Sequence, residues 1–420
     1  MTLYMTFCLK QSFELNLQLY LSQPNRPRMD ILKQRIQSID VLRGIIMALM
    51  ALDHTRDYFH IDAMTGDPTN METTTPILFF TRWITHFCAP TFVFLSGTSI
   101  YLQSIRKSKK ELAWFLLTRG LWLMFAELTF VGFGWSFNIN FNFFFLQVIW
   151  AIGCSMVFLS ALIFFRYWAM VIIGILITLL HNLMDYVNIT DDNLDVAANF
   201  FLITEFEPYV LGSLRFMTAY AILPWTGIML LGYAAGRWYN SNIRPETRKK
   251  ALITTGSLLI IFFIVLRLIN SYGDPAPWET QPSFTYTVLS FLNVTKYPPS
   301  LMYACMTLGP ALIVLALIEN IRNSVTDVFN VFGRVPFFYY LIHIYLIHIL
   351  CTLLFFAEGY EFADNFKLKM AFGFRPRENF GFTLGIVYLI WIFVLVLCYF
   401  PSRWYNNYKS RHKKWWLSYV

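Results

Sequence analysis

Residues 38–59 read SIDVLRGIIMALMALDHTRDYF. The stretch has the length of a bilayer-spanning helix, for which about 20 mostly apolar residues suffice. A helix turns about 100° per residue, so residues eleven apart share a face. Arg43 and His54 have that spacing. They lie three turns and about 16 Å apart along the axis. Asp40 precedes Arg43 by one turn and Asp57 follows His54 by one turn. The result is a polar stripe, Asp40–Arg43–His54–Asp57, on an otherwise apolar helix. Asp53 and Arg56 occupy a neighbouring face. Ionisable groups at mid-membrane cost roughly 2.5–3.5 kcal/mol each, which makes them functional candidates.

The rest of the chain supports a membrane setting. Its 420 residues are 57% hydrophobic, 19% aromatic and only 14% charged, with a mean hydropathy of +0.50. Soluble proteins carry about a quarter charged residues. Too few charges exist here to solvate a water-soluble surface, and the same composition excludes disorder, coiled coil and collagen. The fold expected is all-α, a polytopic integral membrane helical bundle of about ten transmembrane helices. The expected spans lie near 39–59, 77–104, 112–133, 141–165, 167–186, 216–239, 251–270, 299–319, 335–356 and 381–401. A single transmembrane domain, 39–401, is expected between a leader, 1–38, and a basic tail, 402–420. Residues 1–28 read as a disordered extension or a mis-assigned start, since Met29 opens a more natural leader. The connections 187–214 and 271–298 are long enough for interfacial helices or a cover over the outer mouth.

The net charge of +8 does not indicate nucleic acid, because the cations cluster between apolar runs. With the N-terminus inside, the inner segments carry 22 Lys and Arg and the outer loops 5. Positive residues favour the cytoplasmic side. Both termini are therefore expected in the cytoplasm. The exception is 357–380, with Lys367, Lys369, Arg375 and Arg377; a solvated loop is the preferred reading there, an anion site the alternative. Of six cysteines, all but Cys8 fall in apolar runs, which argues against a disulfide framework.

The second span, FTRWITHFCAPTFVFLSGTS, places Arg82, His86 and Pro90 on one helical face, with Pro90 able to kink it. Arg82 and His86 start at the depth of His54, so a polar cluster from two spans is expected there. For His86 a pocket role and an interhelical hydrogen bond stay open. Asp40 and Arg43 read either as a structural pair or as a donor-binding element. In FGRVPFFYYLIHIYLIH, Tyr339 and His343 share a face; His343 is assigned to packing or to a pocket, and His348 to packing or hydrogen bonding. No His, Cys and carboxylate set has zinc spacing, so no metal is expected. Neither a GxSxG motif nor a nucleotide-binding loop is present.

SIDVLRG, DHTRDYF, FTRWITHFCAPTFVFLSGTS, PWTGIMLLGYAAGR, TKYPPSLMY and FGRVPFFYYLIH, in that order, resemble the bacterial branch of the heparan-α-glucosaminide N-acetyltransferase-like membrane family. The resemblance covers roughly residues 35–402. That family is related to the acyltransferase-3 membrane enzymes, which carry an Arg or Lys, ten residues, then a His. Arg43 and His54 match that spacing. The resemblance implies transfer from a cytoplasmic acyl-CoA, acetyl-CoA above all, to a sugar or glycan across the membrane. The lysosomal relative has Asn at the position matching His54 and its proposed active His in the following loop, where this chain offers only His60, at a different spacing.

The chemistry implied needs a base and correct positioning, since a thioester is already activated. His54, Asp53, Asp57, Arg82 and His86 form the expected catalytic set, with Asp53 or Asp57 fixing the His54 tautomer. Arg43 and Asp40 form the expected acyl-CoA-binding pair. The expected partners are acyl-CoA, a glycan acceptor and the lipid bilayer; a homodimer is left open. The location expected is a bacterial inner membrane. A secondary transporter or flippase for an envelope glycan precursor is the alternative. It also needs buried charges, but such folds typically show internal repeats, and none is visible. A non-catalytic scaffold or sensor is the remaining rival.

Overall fold

The computed structural model describes residues 36–187, 192–367, 370–412 and 414–419. The expected leader up to residue 35 and Lys369 lie outside the described residues. The chain is a helical membrane bundle. Its main helices are α1 (Gln37–Phe59), α2 (Pro76–Thr85), α3 (Cys88–Ser104), α4 (Lys109–Ala126), α5 (Val148–Leu162), α6 (Tyr167–Leu180), α7 (Ile222–Gly236), α8 (Pro245–Ile269), α9 (Leu301–Leu317), α10 (Ser324–Arg334), α11 (Pro336–Ala357) and α12 (Leu384–Arg411).

Among the described residues, seven helical stretches are long and apolar enough to cross a membrane: Pro76–Ser104, Lys109–Ser136, Tyr167–Tyr186, Pro245–Ile269, Leu301–Asn320, Pro336–Ala357 and Leu384–Arg411. Three of the ten expected spans fall outside that set. Helix α1 is 23 residues long, but its charges lower its hydropathy. Helices α5 and α7 have 15 residues each, about 22 Å at 1.5 Å per residue. They are short because the residues before them are extended. Strand β1 (Phe143–Leu146) pairs in parallel with β3 (Leu214–Thr218), which pairs antiparallel with β2 (Tyr209–Leu211). Phe144 faces Phe216 across the ladder, ring centroids 5.2 Å apart. Aromatic pairing of this kind favours strands.

The second expected span departs from a single kinked helix. The helical path breaks at His86 and Phe87, between α2 and α3. Pro90 does not kink a helix interior. It sits in the first turn of α3, where backbone N–H groups have no intrahelical partner to lose. Helix α12 runs on to Arg411, so much of the expected tail is helical.

Helix α1 is the centre of the bundle, buried along most of its length. Its crossing with α10 is held close by two glycines. A Cβ on Gly44 would meet the Phe329 carbonyl oxygen at 1.8 Å, and one on Gly333 would meet the Asp40 carbonyl oxygen at 1.8 Å. Helix α4 starts with a capping box, in which Ser108 and Glu111 satisfy each other's backbone N–H. It then passes through a π-helical turn, Glu127–Val131, into Gly132–Ser136. The two long connections fold over the same end of the bundle: Phe206 packs edge-on against Tyr297, centroids 5.2 Å apart.

Candidate active site

The polar stripe on α1 resolves into two separate clusters. Near its start, Arg43 Nη1 pairs with Asp40 Oδ1 at 3.0 Å. It also donates to the Gly333 carbonyl at 3.1 Å, and Arg43 Nη2 donates to Ser99 Oγ at 3.1 Å. The close α1–α10 crossing brings that carbonyl within reach. Arg43 thus bridges α1, α3 and α10. It also borders a cavity of about 300 Å³. Arg119, Arg334 and Lys409 line the same cavity, and among the described residues no carboxylate does. Tyr340 also lines it, and its ring is edge-on to His54 with centroids 6.1 Å apart.

Toward the other end of α1, Asp53 is buried and fully engaged. Arg82 Nη1 donates to both of its oxygens, at 2.8 and 2.7 Å. Thr85 Oγ1 donates to Oδ1 at 3.0 Å, and Arg56 Nη2 lies 3.1 Å from the same oxygen. Arg56 Nη2 also binds Asp57 Oδ1 at 2.6 Å. The expected meeting of the first two spans is therefore present, as an ion-paired lattice of Asp53, Arg56, Asp57 and Arg82.

His54 stands apart from that lattice. The carboxylate expected to orient it is not on its ring. Asp53 faces Arg82 and Asp57 faces Arg56, because successive helical positions point about 100° apart. His54 Nδ1 instead lies 2.8 Å from His343 Nε2. The rings are stacked, centroids 5.0 Å apart, and Trp135 meets His54 edge-on at 4.6 Å. His343 Nδ1 in turn lies 2.9 Å from the Tyr339 carbonyl oxygen. The shared face of Tyr339 and His343 was the sequence signal for this contact.

His86, at the α2–α3 break, is buried, and its Nδ1 has no partner among the described residues. Its own carbonyl accepts from Tyr303 Oη at 2.7 Å. Lys296 is the residue that sequence reasoning missed, having counted it only as a charge in an outer loop. It is 8% exposed and acts electrostatically on Asp53, His54 and His86. Its ammonium sits 4.8 Å from the Tyr297 ring centroid. Among the described residues no carboxylate forms an ion pair with it. Burial alone would push the Tyr297 hydroxyl up; Lys296 and Arg82 outweigh it and hold that group below its ordinary value. Asp274 fixes this segment by accepting from Thr295 N, Thr295 Oγ1 and Ser300 Oγ at 2.8, 2.9 and 2.6 Å.

Beyond the lattice, a second cavity of about 240 Å³ is lined by Arg56, His60, Asp62, Thr65, Asp67 and Thr73. Burial depresses the His60 imidazole below its ordinary value. The 357–380 connection, expected to be solvated, is divided. Lys367 and Arg377 are exposed, whereas Arg375 is fully buried, its Nη2 donating to the His60 carbonyl at 2.8 Å. The β4 (Met370–Phe372) and β5 (Arg375–Pro376) hairpin turns it inward. His348 is held by backbone, its two nitrogens 2.8 Å from Gly134 O and 2.6 Å from Gly373 O.

A helical bundle with several helices long and apolar enough to cross a membrane is an integral membrane protein, and this one buries a polar, ion-paired site among its helices. The particular kind follows from comparison of the sequence with known families. The catalytic model of heparan-α-glucosaminide N-acetyltransferase matches residues 35–266, more than half of the chain, and the chain belongs to that family. Comparison with curated proteins gives no match. The matched segment contains Arg43, His54, Arg82 and His86 and ends before Lys296 and His343. Membership implies an acetyltransferase of the membrane.

Proposed function

We propose that the protein transfers an acetyl group from acetyl-CoA, entering from the cytoplasm, to an amino or hydroxyl group of a glycan on the far side of a bacterial inner membrane. The observation that carries this reading is the basic cavity lined in part by Tyr340, whose ring is edge-on to His54. Four cations, Arg43, Arg119, Arg334 and Lys409, line this cavity and suit the phosphates of a coenzyme A. Arg43, held by Asp40, meets the donor from the α1 side of the cavity. The second cavity, with its carboxylates and hydroxyls, suits a sugar ring at the opposite mouth.

In the reaction, the acceptor nitrogen or oxygen attacks the thioester carbonyl carbon. His54 takes the proton that the acceptor loses, the new C–N or C–O bond forms, and the C–S bond breaks. The departing thiolate receives the proton from His54. Lys296, with which no carboxylate forms an ion pair among the described residues, stabilises the negative charge that develops on the carbonyl oxygen. Asp53 and Arg56 hold Arg82 and Asp57 in register, and Arg82 and His86 complete the acceptor side.

The test is reconstitution in liposomes with acetyl-CoA and a glucosamine-terminated oligosaccharide, with the product read by mass spectrometry. His54→Ala is expected to abolish transfer while acetyl-CoA affinity stays within about twofold, since donor contacts lie three turns away. His54→Asn is the more searching change, because the lysosomal relative carries Asn there. Near-parental transfer by the Asn variant would remove His54 as the obligatory base and pass the role to His86.

A further inference from the structure

A backbone carbonyl can only accept a hydrogen bond. The Tyr339 carbonyl oxygen lies 2.9 Å from His343 Nδ1, so that nitrogen carries its hydrogen. In a neutral imidazole the other nitrogen is then bare. His343 Nε2 lies 2.8 Å from His54 Nδ1, and the bond between them requires a hydrogen. It must come from His54. His54 is thereby an Nδ1–H tautomer, and its Nε2 holds a lone pair. Among the described residues nothing donates to that Nε2. His343 is 0% exposed, and among the described residues no carboxylate bonds it, so the neutral form suits its surroundings. Stacking of the two rings, 13° from parallel, and the edge of Trp135 fix the rotation of the His54 ring.

We propose that His343 is a positioning residue that holds His54 in the Nδ1–H tautomer, so that Nε2 is the atom that accepts the acceptor's proton. The tautomer stands on the hydrogen-bond chain alone; its catalytic consequence rests on the acetyl-transfer reading. In the well-known triad a buried carboxylate orients the base. Here a neutral imidazole anchored on a carbonyl does so, and among the described residues no carboxylate hydrogen-bonds the His54 ring. When His54 takes up a proton, its bond to His343 becomes charge-assisted and strengthens, so the arrangement favours the protonated intermediate without pairing it permanently.

The experiment uses the full-length protein in detergent micelles, labelled with ¹⁵N-histidine. Long-range proton–nitrogen spectra distinguish the two neutral tautomers, and a His54→Ala spectrum assigns the His54 signals. The parent protein is expected to show His54 protonated at Nδ1. His343→Gln keeps an acceptor near the position of Nε2 and is expected to retain both that tautomer and most of the turnover. His343→Leu removes the acceptor. It is expected to shift His54 toward Nε2–H and to lower kcat roughly 10²-fold, with KM for acetyl-CoA little changed. An Nε2–H signal for His54 in the parent protein would overturn the assignment, whether or not either variant folds. Parental kcat in the Leu variant would overturn the positioning role. Absence of acetyl transfer by the parent protein, with the Nδ1–H signal present, would instead overturn the enzymatic reading and leave the tautomer standing.

Discussion

Lys296 brings its charge to His54 from outside the helix that carries His54. An ammonium taken out of water with no carboxylate in an ion pair with it is costly, and replacing such a group by an apolar side chain of similar size is often neutral or stabilising. Its burial at 8% exposure is therefore evidence for a use other than stability. Lys296→Met is expected to lower kcat for acetyl transfer by roughly 10–10²-fold, the order found when one oxyanion donor is removed. Thermal stability in detergent should hold or rise, and Lys296→Arg should recover part of the rate. A Met variant that keeps parental kcat would take Lys296 out of the chemistry. One that unfolds at lower temperature would make it a structural residue. His54 and Lys296 also differ in how far the sequence exposes them. The helical period reveals which face His54 occupies. It does not reveal the neighbour across that face, because His343 comes 289 positions later. Lys296 lies in a polar connection, where a lone cation reads as solvated until Asp274 and the aromatic residues around it are seen to fold it inward.

At the level of elements, the spacing between α1 and α10 controls the donor end. Gly333 lets the helices approach, and the same approach brings its carbonyl to 3.1 Å from Arg43 Nη1. A side chain at 333 would collide with the Asp40 backbone rather than with a movable side chain. Gly333→Val is accordingly expected to cost about 1–3 kcal/mol by overpacking, seen as a lower unfolding temperature. It should also weaken acetyl-CoA binding. Arg43→Ala, which leaves the crossing intact, should weaken acetyl-CoA binding with a smaller loss of stability and little effect on acceptor binding. An Arg43→Ala protein with parental acetyl-CoA affinity would reduce the Asp40–Arg43 pair to a structural contact. Helices whose identity rests on length and apolar content, such as α8, α9 and α11, are legible in the sequence to within a few residues. Those beside strands are not. The Phe143–Leu146 run is apolar enough to extend a span, but its pairing with β3 decides its conformation. The break at His86 is likewise invisible to a hydropathy reading, since Pro90 suggests a kink four residues too late.

Across the whole molecule, the two cavities fall at opposite ends of α1, one basic and one of mixed charge. A transferase that passes an acetyl group across a membrane requires the donor end to face the cytoplasm. The charge distribution independently favours that orientation, because Lys409, which lines the donor cavity, belongs to the basic C-terminal segment, and Thr73, which lines the other, belongs to a loop without Lys or Arg. Single cysteines at these two ends test both arguments together. Thr73 and Asn407 are exposed, and the five described native cysteines are buried, so only Cys8 need be replaced by Ser to quiet the background. In intact cells an impermeant maleimide is expected to label Thr73→Cys and to leave Asn407→Cys unlabelled until the membrane is opened. The reverse pattern would turn the bundle over. Acetyl-CoA would then have to reach the basic cavity from the side of the membrane that holds no coenzyme A, and cytoplasmic donor entry would fail with it.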